Sequence, residues 1–233
     1  MRFGVVVFPG SNCEQDVVHA VRVLGHDASY VWHGDTGLAD YDAVVLPGGF
    51  SYGDYIRCGA VARFSPVMSE VVRYARSGRP VLGICNGFQI LTEAHLLPGA
   101  LLRNRGLKFI CKTVTVRAEE SACQWLDVAA GTVLRLPINH NEGNFICDPA
   151  TLERLIDNGQ VVLRYCEPDG SRRPQGSAPN GALDDIAGIC NERGNVFGLM
   201  PHPERVVDPV TGDGGDGRYI FEGIVRTLEG VVG

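Results

Sequence analysis

Residues 81–91 read Val81-Leu82-Gly83-Ile84-Cys85-Asn86-Gly87-Phe88-Gln89-Ile90-Leu91. The first four form a short apolar run of the kind that makes a buried strand. It passes without a polar linker into a segment whose apolar residues Phe88, Leu91 and Ala94 recur at helical spacing. A strand that turns straight into a helix is one repeat of an α/β fold built on a parallel sheet. The turn itself has the G-x-C-x-G form of a nucleophile elbow, with cysteine in place of serine. Glycines on either side of such a turn remove side chains that would collide as strand becomes helix. The sulfur would sit at a helix N-terminus, whose partial positive charge suits a nucleophile. A buried structural cysteine between incidental glycines fits the same pattern, so the elbow alone leaves Cys85 undecided.

The alternation continues on both sides. Strands are expected at residues 3–8, 29–32 and 43–46, and a helix capped by Ser11 or Asn12 carries Val17, Val21 and Leu24 on its apolar face before Gly25 stops it. A second helix at 66–77 groups Val67, Val71 and Ala75 and ends at Gly78. Beyond the elbow the pattern is richer in strands, at 110–116, 133–136, 161–166, 186–191 and 196–200, with a helix at 149–157 between them. A last helix at 217–229 lines up Ile220, Phe221, Ile224, Val225 and Leu228. The expected fold class is α/β: a single domain over residues 1–233 with a flavodoxin-like, mostly parallel central sheet flanked by helices and extra β elements in the second half. The polar segment 167–180 reads as a long exposed loop, of a length that often contacts a substrate or partner.

Composition narrows the function classes. Lys and Arg total 21 against 27 Asp and Glu, a net charge of -6, so no basic excess exists to neutralise nucleic-acid phosphates. The N-terminal apolar run stops at Pro9-Gly10, as a first strand would, and no stretch approaches the ~20 apolar residues of a membrane span. A cytoplasmic protein is expected. Eight cysteines, at 13, 58, 85, 111, 123, 147, 166 and 190, include no CxxC pair and no zinc-finger spacing with histidine. No metal site is expected, and most of these thiols should be buried and inert.

Two further segments bear on Cys85. Pro201-His202-Pro203-Glu204 follows the apolar run 196–200, and Pro203 disfavours helix at His202. In an extended stretch His202 and Glu204 project to one side, where the carboxylate can orient the imidazole as the acid of a triad does. Pro47-Gly48-Gly49-Phe50-Ser51 follows the strand at 43–46, so its backbone can aim N–H groups at an oxyanion, with the N–H of Asn86 as second donor. Cys13, after Pro9-Gly10-Ser11-Asn12, sits near a helix start at the same edge but lacks elbow glycines. The run Gly212 to Gly217 lacks both the Lys-Ser/Thr of a P-loop and the spaced acids of an EF-hand, and reads as a surface turn.

Gly83 to Gln89 and His202-Pro203-Glu204 together resemble the triad-type, or class I, glutamine amidotransferases, whose motif G-x-C-x-G-x-Q precedes a distant H-x-E. The resemblance implies that Cys85 attacks the carboxamide of L-glutamine, His202 moves protons and Glu204 orients it. It also places Gly49, with Asn86, in the oxyanion hole and gives Gln89 a part in holding the substrate. The segments Val7 to Cys13, Leu46 to Asp54, Asn139-His140-Asn141-Glu142-Gly143 and Gly198 to Arg205 narrow the match to glutaminase subunits of an ATP-dependent carbon–nitrogen ligase of purine synthesis. That match runs over essentially the whole chain. It implies a glutamyl thioester and ammonia passed through a tunnel to a large synthetase subunit of the same enzyme, with a small third subunit as a bridge. ATP and magnesium are then expected on the synthetase partner, with no cofactor in this chain. His140 and Glu142, read as lying in a loop after a strand, are assigned to substrate binding. The chain departs from the pattern at Ala178-Pro179-Asn180-Gly181-Ala182, where Asn-Pro-Asn-Gly-Ser is expected.

Two rival readings stay open at this point. Another elbow-cysteine hydrolase, such as a peptidase or stress-response enzyme, would place its histidine close after the cysteine, where this chain has Asn86. A non-catalytic regulatory module would have no need of Cys85, His202 and Glu204 together.

Overall fold

The computed structural model describes residues 1–126, 128–174, 177–210 and 214–232, with residues 231 and 232 as backbone only. In chain order its elements are β1 (Arg2–Val7), α1 (Glu14–Val23), β2 (Asp27–Trp32), β3 (Ala43–Leu46), α2 (Pro66–Arg76), β4 (Val81–Ile84), α3 (Asn86–Glu93), β5 (Ala100–Leu102) and β6 (Ile110–Ala118). They continue with β7 (Val133–His140), β8 (Asn144–Ile146), α4 (Pro149–Asp157), β9 (Val161–Tyr165), β10 (Ile186–Cys190), β11 (Val196–Leu199) and α5 (Arg218–Val232).

Nine strands form one sheet in the order β2-β1-β3-β4-β11-β10-β9-β6-β7, flanked by helices. The first five are parallel neighbours, in the doubly wound order of a flavodoxin-like sheet. From β11 onward every pairing is antiparallel. This is the expected α/β architecture, with the extra β elements of the second half extending the sheet on one side. In β3, β4 and β11 every residue is buried, as continuous apolar runs covered on both faces require. The elbow glycine aligns this centre: Gly83 lies in register with Leu46 of β3 and Gly198 of β11.

Topology decides what meets at the active edge. The carboxyl ends of parallel strands lie together, so the turns after β1, β3, β4 and β11 converge. The alternating pairings from β11 to β7 return β7 to the direction of β11, so its last residue, His140, reaches that same edge.

The structure corrects several expectations. The N-cap of α1 is Cys13, with no side-chain capping bond. Ser11 instead accepts from the Phe8 N–H (3.0 Å), and the Asn12 carboxamide oxygen accepts from the Cys13 thiol (3.1 Å). His140 is not in a loop: it ends β7, opposite Ile110 of β6. β5 and β8 were not expected; each has only three residues, too short for an alternation to register, and they pair with each other outside the main sheet. The segment 167–180 is less exposed than its polarity suggests, because Arg172 bridges to Cys166 and Asn180 is fully buried. Within it, and within the glycine run at 212–217, residues 175–176 and 212–213 lie outside the described residues.

Candidate active site

Cys85 is the N-cap of α3 and holds φ 50°, ψ −103°, a backbone conformation rare for any residue other than glycine. Such strain persists only where the surroundings over-determine it. Here the neighbours do so. A Cβ on Gly87 would drive into the Leu46 carbonyl of β3, and one on Gly83 would lie 2.5 Å from the Leu91 Cδ1 atom. The α3 helix is therefore seated against the sheet with no space for side chains on the elbow, and residues 86–92 are all buried. Its polar members are satisfied internally. Asn86 accepts from the Ser51 N–H (3.1 Å) and donates to the Gln89 carboxamide oxygen (2.8 Å), and Gln89 donates to the Glu142 carbonyl (2.6 Å). Phe88 stacks on Phe145 of β8 with ring centroids 6.1 Å apart, which ties the short second sheet to the elbow helix.

His202 lies just beyond β11, and residues Pro203–Val206 form a 3-10 turn. The extended stretch expected to align His202 with Glu204 is thus absent. The turn brings them together instead, with Nδ1 and the Glu204 Oε1 atom 2.6 Å apart and both side chains buried. That distance is in the range of a charge-assisted hydrogen bond. Burial by itself would drive the imidazole toward neutrality, but the Glu204 carboxylate, with Cys85 and Cys13 beside the ring, outweighs it and raises the pKa well above the ordinary 6.5. A proton-carrying histidine next to the elbow sulfur is suited to acid and base work.

Gly49 is held at φ 148°, where a Cβ would meet the backbone of Ser11 and Asn12 at 2.7–2.8 Å. Together with Cys85 it lines a cleft of about 290 Å³ whose other walls are Phe50, Asp54, Cys58, Gln89, Arg103 and residues 139–142. The N–H of Asn86, first residue of α3, belongs to the helix end whose amides have no intrahelical acceptor. Two donors and a nucleophile can therefore share one substrate carbonyl.

The far wall is polar. Asp54 carries a buried carboxylate oxygen with no hydrogen-bond partner among the described residues, and burial raises its pKa. Burial, with the carboxylates of Glu142 and Asp54 beside it, pushes the Cys58 thiol far above its usual range, which disfavours thiolate there. Arg103 faces Glu142 at 3.7 Å. His140 sits beneath this wall, 3% exposed, with Nδ1 3.1 Å from the Asn104 carboxamide oxygen. Burial, and then the charge of His202, lower its pKa to about 4, so it is a neutral imidazole at ordinary pH. Asn104 also donates to the His140 carbonyl and accepts from the Gly143 N–H (2.9 and 3.0 Å). Asn180 donates to the Gly143 carbonyl (2.7 Å) and to the Tyr165 hydroxyl (3.0 Å).

Cys85, His202, Glu204, Gly49, Asn86, Gln89, His140 and Glu142 thus gather at one edge of the sheet. Asn86 and Gln89 spend their side chains largely on each other and on the backbone. Sequence reasoning missed Asp54, Cys58, Arg103, Asn104 and Asn180. Asp54 falls inside the quoted segment after β3, but nothing local separates a wall carboxylate from a solvated one. Asn104 and Asn180 act through contacts spanning tens of residues.

Residues 1–215 match the model of the CobB/CobQ-like glutamine amidotransferase domain. The chain is 56% identical over 230 residues to the phosphoribosylformylglycinamidine synthase subunit PurQ of Trichormus variabilis, covering 98% of each chain. It is 57% identical over 215 residues to the protein of the same description from Rubrobacter xylanophilus, covering 92% of this chain and 93% of that one. Among solved structures, PurLQS from Thermotoga maritima contains a chain 44% identical, with a TM-score of 0.85 over 97% of this chain and 98% of the other. A glutamine amidotransferase from Thermotoga maritima, 16% identical with a TM-score of 0.55 over 100% of this chain and 94% of the other, shares the fold.

Proposed function

The chain belongs to the CobB/CobQ-like glutamine amidotransferase family, and on that premise we propose that it is the glutaminase subunit of a phosphoribosylformylglycinamidine synthase. The observation that carries this reading is the meeting, at one edge of the sheet, of a strained elbow thiol and a glycine turn that line one cleft with a buried imidazole–carboxylate pair beside the thiol.

Cys85 adds to the amide carbon of L-glutamine. The N–H groups of Gly49 and Asn86 hold the oxyanion, a class of interaction worth roughly 3–4 kcal/mol for each donor removed. His202 passes a proton to the departing ammonia, leaving a glutamyl thioester on Cys85. It then takes a proton from the water that hydrolyses that thioester, and Glu204 stabilises the imidazolium throughout. The α-ammonium of glutamine falls to the carboxylates of Asp54 and Glu142, and its α-carboxylate to Arg103, the cation among the described residues that line the cleft. His140, neutral and braced by Asn104, shapes the floor beside Gln89.

Ammonia then passes to a large synthetase subunit, with a small bridging subunit as the third component. That partner carries ATP and magnesium and converts formylglycinamide ribonucleotide to the amidine. The cytoplasm is the fitting compartment for this chemistry, and no helix among the described residues is long and apolar enough to cross a membrane.

The test is glutamate release by wild type and Cys85→Ala, each with and without the synthetase subunits. Release by wild type that the variant loses by at least about 10³-fold supports the reading. Equal release by the two removes Cys85 from the chemistry.

A further inference from the structure

Cys13 is a second thiol at the active edge, and the mechanism above does not use it. It is 2% exposed. Its backbone is pinned by hydrogen bonds from the Asn12 and Cys13 N–H groups to the Gly48 carbonyl (3.4 and 3.2 Å). Its side chain takes no part in capping α1. The S–H donates to the Asn12 carboxamide oxygen, and the sulfur accepts from the Arg205 guanidinium at 3.2 Å. Arg205 is itself anchored by Asp16 of α1 at 3.4 Å. Cys13, His202 and Glu204 present their side-chain heteroatoms within 4.8 Å of one another. The backbone of Gly48 fills the remaining space, since a Cβ there would lie 2.7 Å from the His202 Cε1 atom and 3.1 Å from the Cys13 sulfur. The imidazole is thus walled by Gly48 and Cys13.

We propose that Cys13, held by Arg205, is a positioning residue for the His202–Glu204 pair, its sulfur packing beside the imidazole so that the ring stays turned toward Cys85. This rests on the assignment of Cys85 as nucleophile and His202 as proton carrier. A soft, polarisable sulfur with one donated and one accepted hydrogen bond fills the gap without competing for Nδ1, which a carboxylate or amide there would do. The groups facing His202 are Glu204 from its own turn, Cys13 from the start of α1, Cys85 from the elbow and His140 from the end of β7. Of these, Cys13 favours the protonated ring and His140 opposes it. Loss of the sulfur therefore moves the His202 limb of the pH profile to lower pH.

The experiment measures kcat and KM for glutamine, the pH profile and the melting temperature of Cys13→Ala, Cys13→Ser and Arg205→Gln in the complex with the synthetase. Cys13→Ala is expected to lower kcat about tenfold with KM nearly unchanged and the limb shifted down, as small misplacement of a proton carrier does. Cys13→Ser, which keeps a donor and an acceptor, restores most of kcat, and Arg205→Gln lowers kcat by less than the alanine variant does. Wild-type kcat and pH profile in Cys13→Ala overturn the proposal. So does a fall in kcat that follows melting temperature in both cysteine variants while the pH limb stays in place, which marks packing alone. Alkylation by an electrophilic glutamine analogue at Cys13 instead of Cys85 would also overturn it. Survival of activity in Cys85→Ala is a separate result, which removes the underlying assignment whatever Cys13 does.

Discussion

The parallel half of the sheet presents its reactive groups on turns, whereas the antiparallel half presents its own from a strand end. After β3 and β4 the backbone is forced out of ordinary geometry, with Gly49 at φ 148° against the backbone of Ser11 and Asn12 and Cys85 at φ 50° where α3 packs tightly on β3. In the other half His140 finishes a regular strand, and a network from Asn104 and Asn180 fixes it and the Gly143 peptide. The two halves reach precision by different means. Close steric contacts lock one, and side-chain hydrogen bonds to the backbone lock the other. The division matches the proposed chemistry: groups that make and break bonds lie on the parallel side, and groups that seat the substrate lie mainly on the antiparallel side.

Three perturbations test that division. The largest effect is expected for Glu204→Gln, which keeps the shape of the buried pair but removes the charge that stabilises imidazolium. It should lower kcat by roughly 10³-fold, with KM for glutamine moving far less. A fall confined to KM would assign Glu204 to substrate seating and erase the contrast.

Next is the pH dependence of stability set by His140. Unfolded, its imidazole protonates near 6.5, but folded it resists until about 4. As pH falls through that window the unfolded chain binds a proton that the native chain refuses, so the native state loses stability, and above the window there is no such cost. Denaturant melts of wild type and His140→Gln between pH 7 and pH 4 should diverge by on the order of 3 kcal/mol, wild type losing more. His202 acts in the opposite sense in both proteins, because its raised pKa lends stability that is full below 6.5 and lost as pH rises through the folded value. Parallel curves for the two proteins would mean that His140 is not held neutral.

The smallest effect is expected for Glu142→Gln, whose carboxylate lies 3.7 Å from Arg103 at the partly exposed wall. Loss of one contact to the α-ammonium should raise KM about tenfold, or ~1.4 kcal/mol, and leave kcat within a few-fold. An equal loss in kcat would place Glu142 in the chemistry.

The same contrast explains what could be read in the sequence. The elbow was legible because its constraint is local: Gly83 and Gly87 must lack side chains within two residues of Cys85, and the apolar runs on either side announce strand and helix. His202-Pro203-Glu204 was legible as a pair, although a 3-10 turn and not an extended stretch joins them. The antiparallel wall was not legible from residue patterns alone. Asn104 bonds residues 36 and 39 positions away, Asn180 one 37 positions away, and β5 and β8 are three residues each. No periodicity reports such contacts, and His140 and Glu142 came into view only through resemblance to a family. Cys13 lacks the glycines of an elbow, and its place beside His202 depends on the convergence of β1 and β11 turns far apart in the chain.

The central claim is that Cys85 carries the glutamyl group. Acid quenching of the complex with the synthetase during turnover of isotopically labelled glutamine, followed by peptide mass analysis, tests it most directly. The account predicts label on the peptide containing Cys85, discharged by mild base or hydroxylamine as a thioester is, and absent in Cys85→Ala. Label on the peptide containing Cys13, or glutamate release from Cys85→Ala at the wild-type rate, would contradict it.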